Sequence, residues 1–164
     1  MPQLDAYIPA GAISPDAERD LMAKLTDLLI RHEGADPTNE TVRSIAWLFV
    51  HRAHTVYVAG QPAEVPRYRF VASVPEGQFN EERRAAMTAE ITEAVLDAER
   101  GAHPRDPMRV WVFTLEVPEG TWGGGGRVVG LGDIAGLALG DAEAGQAYAE
   151  HVFAERRGEP VPAG

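Results

Sequence analysis

R-Y-R-F-V-A-S-V-P-E-G-Q-F-N-E-E-R-R-A-A-M, residues 67–87, reads as a strand, a break, a cap and a helix. Aromatic and β-branched residues predict a strand over 67–74. Pro75-Glu76-Gly77 breaks it, and Asn80 is a good N-cap. Met87, Ile91, Ala94 and Ala98 recur at helical spacing, and Gly101 ends the helix. E-E-R-R at 81–84 is its solvated start. A second strand, rich in aromatic and β-branched residues, is predicted over 108–117. Strand, helix and strand in this order make a β-α-β unit, whose crossover requires parallel pairing.

The pattern also stands earlier in the chain. Q-L-D-A-Y-I predicts a strand over 2–8, and Pro9-Ala10-Gly11 breaks it. Ser14 caps a helix with Pro15 at its first position and Asp16 and Glu18 in its first turn. Ala17, Leu21, Leu25 and Leu28 mark its apolar face, and Gly34 ends it. The apolar run 45–50 predicts a strand buried on both faces, and 55–58 a further short strand. The two halves share a register. Pro9 and Pro75, Gly11 and Gly77, Ser14 and Asn80, Leu21 and Met87, Leu25 and Ile91, Leu29 and Val95, and Arg43 and Arg109 all stand at one common offset. This predicts a duplication, with repeats at about 2–60 and 66–130 of a single domain spanning 1–164. The fold class is α+β: two fused β-α-β units forming a four-stranded sheet with two helices on one face. The other face needs cover, and oligomerisation supplies it economically. After Val117, T-W-G-G-G-G-R carries four glycines suited to a tight turn. A last helix is predicted over 141–157, and 158–164 reads as a loose tail.

Composition narrows the function. The 164 residues carry a net charge of −10, which argues against nucleic acid as partner. No run of 18 apolar residues crosses a membrane. The N-terminus lacks a basic-then-apolar leader pattern, so the expected location is cytoplasmic. With no cysteine there are no disulfides or thiolate sites. His51 and His54 lack a third ligand, the glycine run lacks a phosphate-loop Lys-Ser/Thr, and Ser14, Ser44 and Ser73 lack a nucleophile-elbow context. No metal or cofactor is expected.

The opening Met1-Pro2, the I-P-A-G break, the S-P-D helix start, and M-R-V-W-V-F-T-L-E-V-P followed by T-W-G-G-G-G resemble the tautomerase superfamily. The layout is similar to its double-length members, among them cis-3-chloroacrylic acid dehalogenase and malonate semialdehyde decarboxylase. The resemblance covers roughly residues 2–140. It implies a cofactor-independent tautomerase acting on a small 2-oxo or enol carboxylate, assembled as a homotrimer.

The resemblance also implies site residues. Pro2 becomes an amino-terminal secondary amine once Met1 is removed. A free α-amino group titrates at about pH 7.7–8.0, and neighbouring cations or apolar walls lower that value toward a usable base. The alternative for Pro2 is a plain edge-strand start. Pro66 stands at the start of the second unit, is internal, and has no free amine, so one site per chain follows. Arg109 matches the arginine that binds a substrate carboxylate, by two parallel hydrogen bonds. Arg43 is its first-half counterpart. Trp122 matches the hairpin aromatic that walls the site, and Arg127 reaches an anionic substrate or a neighbouring chain. Structural ion pairs or interface packing are the alternatives for these four. The sequence departs from the pattern at Ala12, Glu76 and Phe113. Asp36 aligns only loosely with the decarboxylase's acid. The dehalogenase's glutamate falls in the glycine run. Other readings are therefore a decarboxylase, hydratase or dehalogenase of the same superfamily, or a non-catalytic binding or assembly module.

Overall fold

Two 18-residue helices, α1 (Pro15–His32) and α3 (Glu81–Ala98), lie on one face of a four-stranded sheet. The computed structural model describes residues 2–159. Strands β1 (Gln3–Tyr7) and β2 (Trp47–His51) pair in parallel. Two short strands, β3 (Tyr57–Val58) and β4 (Gln61–Pro62), form a hairpin. Strands β5 (Tyr68–Pro75) and β6 (Val110–Val117) are again parallel, and β1 pairs antiparallel with β5. The sheet order is β2-β1-β5-β6. This is the fused β-α-β arrangement expected from the sequence.

Local chemistry sets the helix starts. The Ser14 hydroxyl accepts from the Ala17 N–H, and the Asn80 side chain accepts from the Arg83 N–H at 2.8 Å. Leu21, Leu25, Leu28 and Leu29 of α1 join Met87, Ile91, Ala94 and Val95 of α3 over Leu4, Ala6, Phe70, Ala72 and Val74. All are buried, and each fully buried aliphatic contributes about 1.5–3 kcal/mol.

Three segments differ from expectation. The run 45–50 is not one doubly buried strand. Ile45 caps a short helix, α2 (Glu40–Ser44), and β2 is an edge strand with Trp47 61% exposed. Its apolar residues face both ways because the sheet face away from the helices also carries large exposed apolar side chains, among them Trp111, Phe113 and Leu115. In the 55–58 stretch only Tyr57 and Val58 pair. The stretch after the glycine run holds a helix that sequence reasoning left out, α4 (Leu131–Leu139).

The glycine run makes a hairpin of β7 (Trp122–Gly124) and β8 (Arg127–Val129). Gly125 and Gly126 both have positive φ, as a two-residue turn of matching twist requires. The last helix, α5 (Ala142–Arg157), packs on α4. A Cβ at Gly145 would lie 2.2 Å from the Gly136 nitrogen, so the two backbones meet directly. The predicted tail at 158–164 begins with Gly158 capping α5, and 160–164 lie outside the described residues. Among the described residues no helix is long and apolar enough to cross a membrane.

Candidate active site

Pro2 is buried at the start of β1, and its carbonyl accepts from the Trp47 N–H at 3.2 Å. It lines a cavity of about 770 Å³. The β7–β8 hairpin contributes Trp122 and Arg127, β2 contributes Trp47, and α4 contributes Ile134 and Leu137. Three of the sequence-predicted residues, Pro2, Trp122 and Arg127, therefore meet in one place. Arg127 is exposed and stands 3.5 Å from Asp133. The Gly130 N–H holds the Asp133 carboxyl below the usual range, with help from the Arg127 charge.

Behind α4 lies a second compartment of about 380 Å³, which shares Ile45 and Ile134 with the first. Glu33, the residue capping α1, lines it. Burial pushes the Glu33 carboxyl up, while the charge of the chain's amino terminus pulls it down. Glu33 is an acidic residue that the sequence reading did not single out. The loosely aligned Asp36 is exposed, and its carboxylate accepts from the Thr38 N–H and hydroxyl, both at 2.8 Å. Those Thr38 bonds lower its pKa. The buried Gln78 lines the same compartment and accepts from the Tyr148 hydroxyl at 3.3 Å.

Arg109 and Arg43 do not join this cavity. Arg109 is 1% exposed. Its guanidinium grips Glu99 with both terminal nitrogens, donates to the Pro104 carbonyl at 2.7 Å, and donates to the Pro66 carbonyl at 3.2 Å. The Tyr68 hydroxyl donates to Glu99 at 2.8 Å. Burial opposes the Glu99 charge, yet the bonds from Arg109 and Tyr68 hold its carboxyl low. Burial, then Glu99, pushes the Tyr68 hydroxyl up. Antiparallel pairing sets Gln3 beside Ser73, while Arg109 precedes Val110 beside Tyr68. About six residues of strand, roughly 20 Å, separate the two ends. Arg109 is thus committed inside the fold at the far end of the sheet. Arg43 pairs with Asp27 and donates to the Pro37 carbonyl at 2.8 Å.

The element register also corrects the place of Pro66. Helices α1 and α3 begin at Pro15 and Glu81, which stand at the offset shared by the paired sequence positions. At that spacing the counterpart of Pro2 is Tyr68, and those of Glu33 and Arg43 are Glu99 and Arg109. Of the other positions singled out, Glu76 accepts from the Glu119 N–H at 2.9 Å, and His51 meets Asp5 at 2.6 Å. Among the described residues no group of three or more His, Asp or Glu is arranged to hold a metal ion.

Solved structures share this architecture. Native fused 4-OT superposes with a TM-score of 0.63 at 18% identity, over 77% of this chain and 94% of that one. The chain has the fold of the tautomerase superfamily. Pt0534, a structure of the protein inactivated by 2-oxo-3-pentynoate, matches over the same shares at 21% identity and TM-score 0.62. N1, a member of the cis-3-chloroacrylic acid dehalogenase family, matches at 19% identity and TM-score 0.62, over 77% of this chain and 82% of that one. No family model matches the sequence, and no curated protein does. About a quarter of this tautomerase-fold chain lies outside each match.

Proposed function

We propose that the chain is a cofactor-independent tautomerase that moves a proton between oxygen and carbon of a 2-oxo or enol carboxylate. The observation that carries this reading is that Pro2, Trp122 and Arg127 line one cavity. With Met1 removed, the neutral Pro2 nitrogen takes the enol hydroxyl proton. The oxygen becomes a carbonyl, the double bond shifts, and the Pro2 ammonium returns the proton to carbon. Arg127 leaves its loose contact with Asp133 and clamps the carboxylate through two N–H groups. Trp47 and Trp122 exclude water, which strengthens that pairing and disfavours a charged resting amine. Arg109, at the far end, has no part in this step.

A second reading keeps the proton on Pro2. Glu33 feels the amino-terminal charge, and a nearby carboxylate favours a protonated amine. The Pro2 ammonium is then an acid, suited to decarboxylation, hydration or dehalogenation of an unsaturated acid. We also propose a homotrimer. Trp47, Phe49, Trp111, Phe113 and Leu115 stay exposed on the helix-free sheet face, and fused 4-OT proteins of this fold form trimers.

Intact mass followed by a screen of enol acids tests the site. The expected result is loss of one methionine and turnover that Pro2→Ala abolishes while its circular dichroism stays native. Retained methionine, or unchanged turnover in Pro2→Ala, overturns the proline mechanism and leaves a non-catalytic binding module.

A further inference from the structure

The end of the sheet opposite Pro2 carries its own cavity, about 280 Å³, beside Pro66 and Arg67. It corresponds to the Pro2 cavity at two repeat positions. Val56 and Ala63 line it, and their counterparts at the repeat offset, Trp122 and Val129, line the first. Hairpin β3–β4 flanks it as β7–β8 flanks Pro2. No amine is available here, because the counterpart of Pro2 is the buried, internal Tyr68. A guanidinium stands one residue earlier instead. Arg67 is half-buried. Among the described residues its side chain makes no hydrogen bond or ion pair. Arg69 also lacks a polar partner, but its guanidinium lies over the Tyr7 and Phe113 rings. Every remaining arginine among the described residues has a polar partner.

We infer that this second cavity binds a small monocarboxylate without turning it over. The planar fork of Arg67 matches a carboxylate through two parallel N–H bonds. His54 and His103 line the same space and add ring N–H donors. Glu64 is the acid at its edge, and its charge counts against dianions. The volume holds a few carbon atoms beyond the carboxylate. No amino-terminal amine reaches this cavity, so the proton transfer proposed at Pro2 has no counterpart here. This site stands apart from the Pro2 chemistry, and the two succeed or fail separately.

Propionate titrated into the full-length chain tests it, read on the Arg67 Nε–H and His103 resonances in nitrogen-15 spectra. Saturable shifts are expected. Arg67→Gln weakens binding by about ten-fold or more, the scale of one lost charge-assisted pair. Arg127→Gln, at the other end, leaves it within about two-fold, as independent sites should. Among the described residues the Arg67 side chain holds no hydrogen bond or ion pair, so its variant is expected to stay native by circular dichroism. The inference is overturned by shifts that do not saturate, by Arg67→Gln binding as well as the parent, or by neutral propionamide binding equally. Inorganic phosphate binding more tightly than propionate overturns the assignment to a carboxylate.

Discussion

Arg109→Met removes one partner of a buried ion pair and leaves the other in place. The Glu99 and Arg109 side chains are each 1% exposed, so neither charge reaches water. Stranding one member of such a pair costs about 3–5 kcal/mol. At roughly 2–4 °C per kcal/mol for a chain of this size, the melting temperature falls by roughly 6–20 °C. Removing both charges in Arg109→Met/Glu99→Met recovers most of that loss, because no buried charge remains. The recovery stops about 1 kcal/mol short, since the Tyr68 hydroxyl has lost its acceptor. Acid dependence adds a signature. Arg109 and Tyr68 hold the folded Glu99 carboxyl below its unfolded value. Its stabilisation is therefore full above the ordinary glutamate value, about pH 4.3, and is lost as pH falls through the lower folded value. Calorimetric melts of parent, single and double variants between neutral and acid pH measure all of this. A single variant that melts within about 2 °C of the parent refutes the reasoning, since a stranded buried charge cannot cost so little. A double variant as unstable as the single refutes it too.

Glu33→Gln removes the carboxylate that feels the charge of the chain's amino terminus, so the amine exposed by loss of Met1 is expected to give up its proton at lower pH. A nitrogen-15 titration of labelled proline in the methionine-free protein reads this directly, and an unchanged midpoint excludes Glu33 as a neighbour of the amine. Trp111→Asp places a charge on the helix-free sheet face, where Trp111 is 61% exposed in the single chain. Light scattering after size exclusion should show the proposed trimer falling to monomer with helix content kept, whereas an assembly unchanged from the parent would clear that face of any role in it.

Much of the fold is legible in the sequence because its signals are local. Ser14 and Asn80 cap helices by bonding to the next turn, and no distant residue is needed for that. The apolar faces of α1 and α3 follow from helical spacing alone. Helix α4 is not legible in this way. L-G-D-I-A-G-L-A-L holds two glycines, which weaken a lone helix, and only contact with α5 makes them useful. Gly132 and Gly136 let Gly145 and its neighbours come within backbone contact, a reason that exists only in the tertiary fold. The site divides along the same line. Pro2, Trp122 and Arg127 are legible through chain start and motif. Arg109 matches the motif too, with Arg43 as its counterpart at the repeat offset, but their side chains answer to partners elsewhere in the chain. Glu33 carried one signal, its place at the repeat offset from Glu99, which gains meaning only once Glu99 is seen to face Tyr68.

One difference between the repeats goes with which of the paired arginines turns inward. Asn39 stands where the second unit has Arg105. Arg105 pairs with Glu93 and Asp97 on the surface of α3. Those acids are then satisfied, and Arg109 is left to turn inward onto Glu99. In the first unit Asn39 is uncharged and caps α2. Asp27, the counterpart of Glu93, takes Arg43 instead. Arg43 is thus held on the surface by Asp27 and the Pro37 carbonyl, whereas Arg109 is held inside by Glu99. The Arg109 end gains a buried pair with the Tyr68 hydroxyl bonded to it. At the Pro2 end, Glu33 lines the compartment behind α4 and Pro2 lines the adjoining cavity, so the same repeat position lies in a closed ion pair in one unit and beside a cavity in the other.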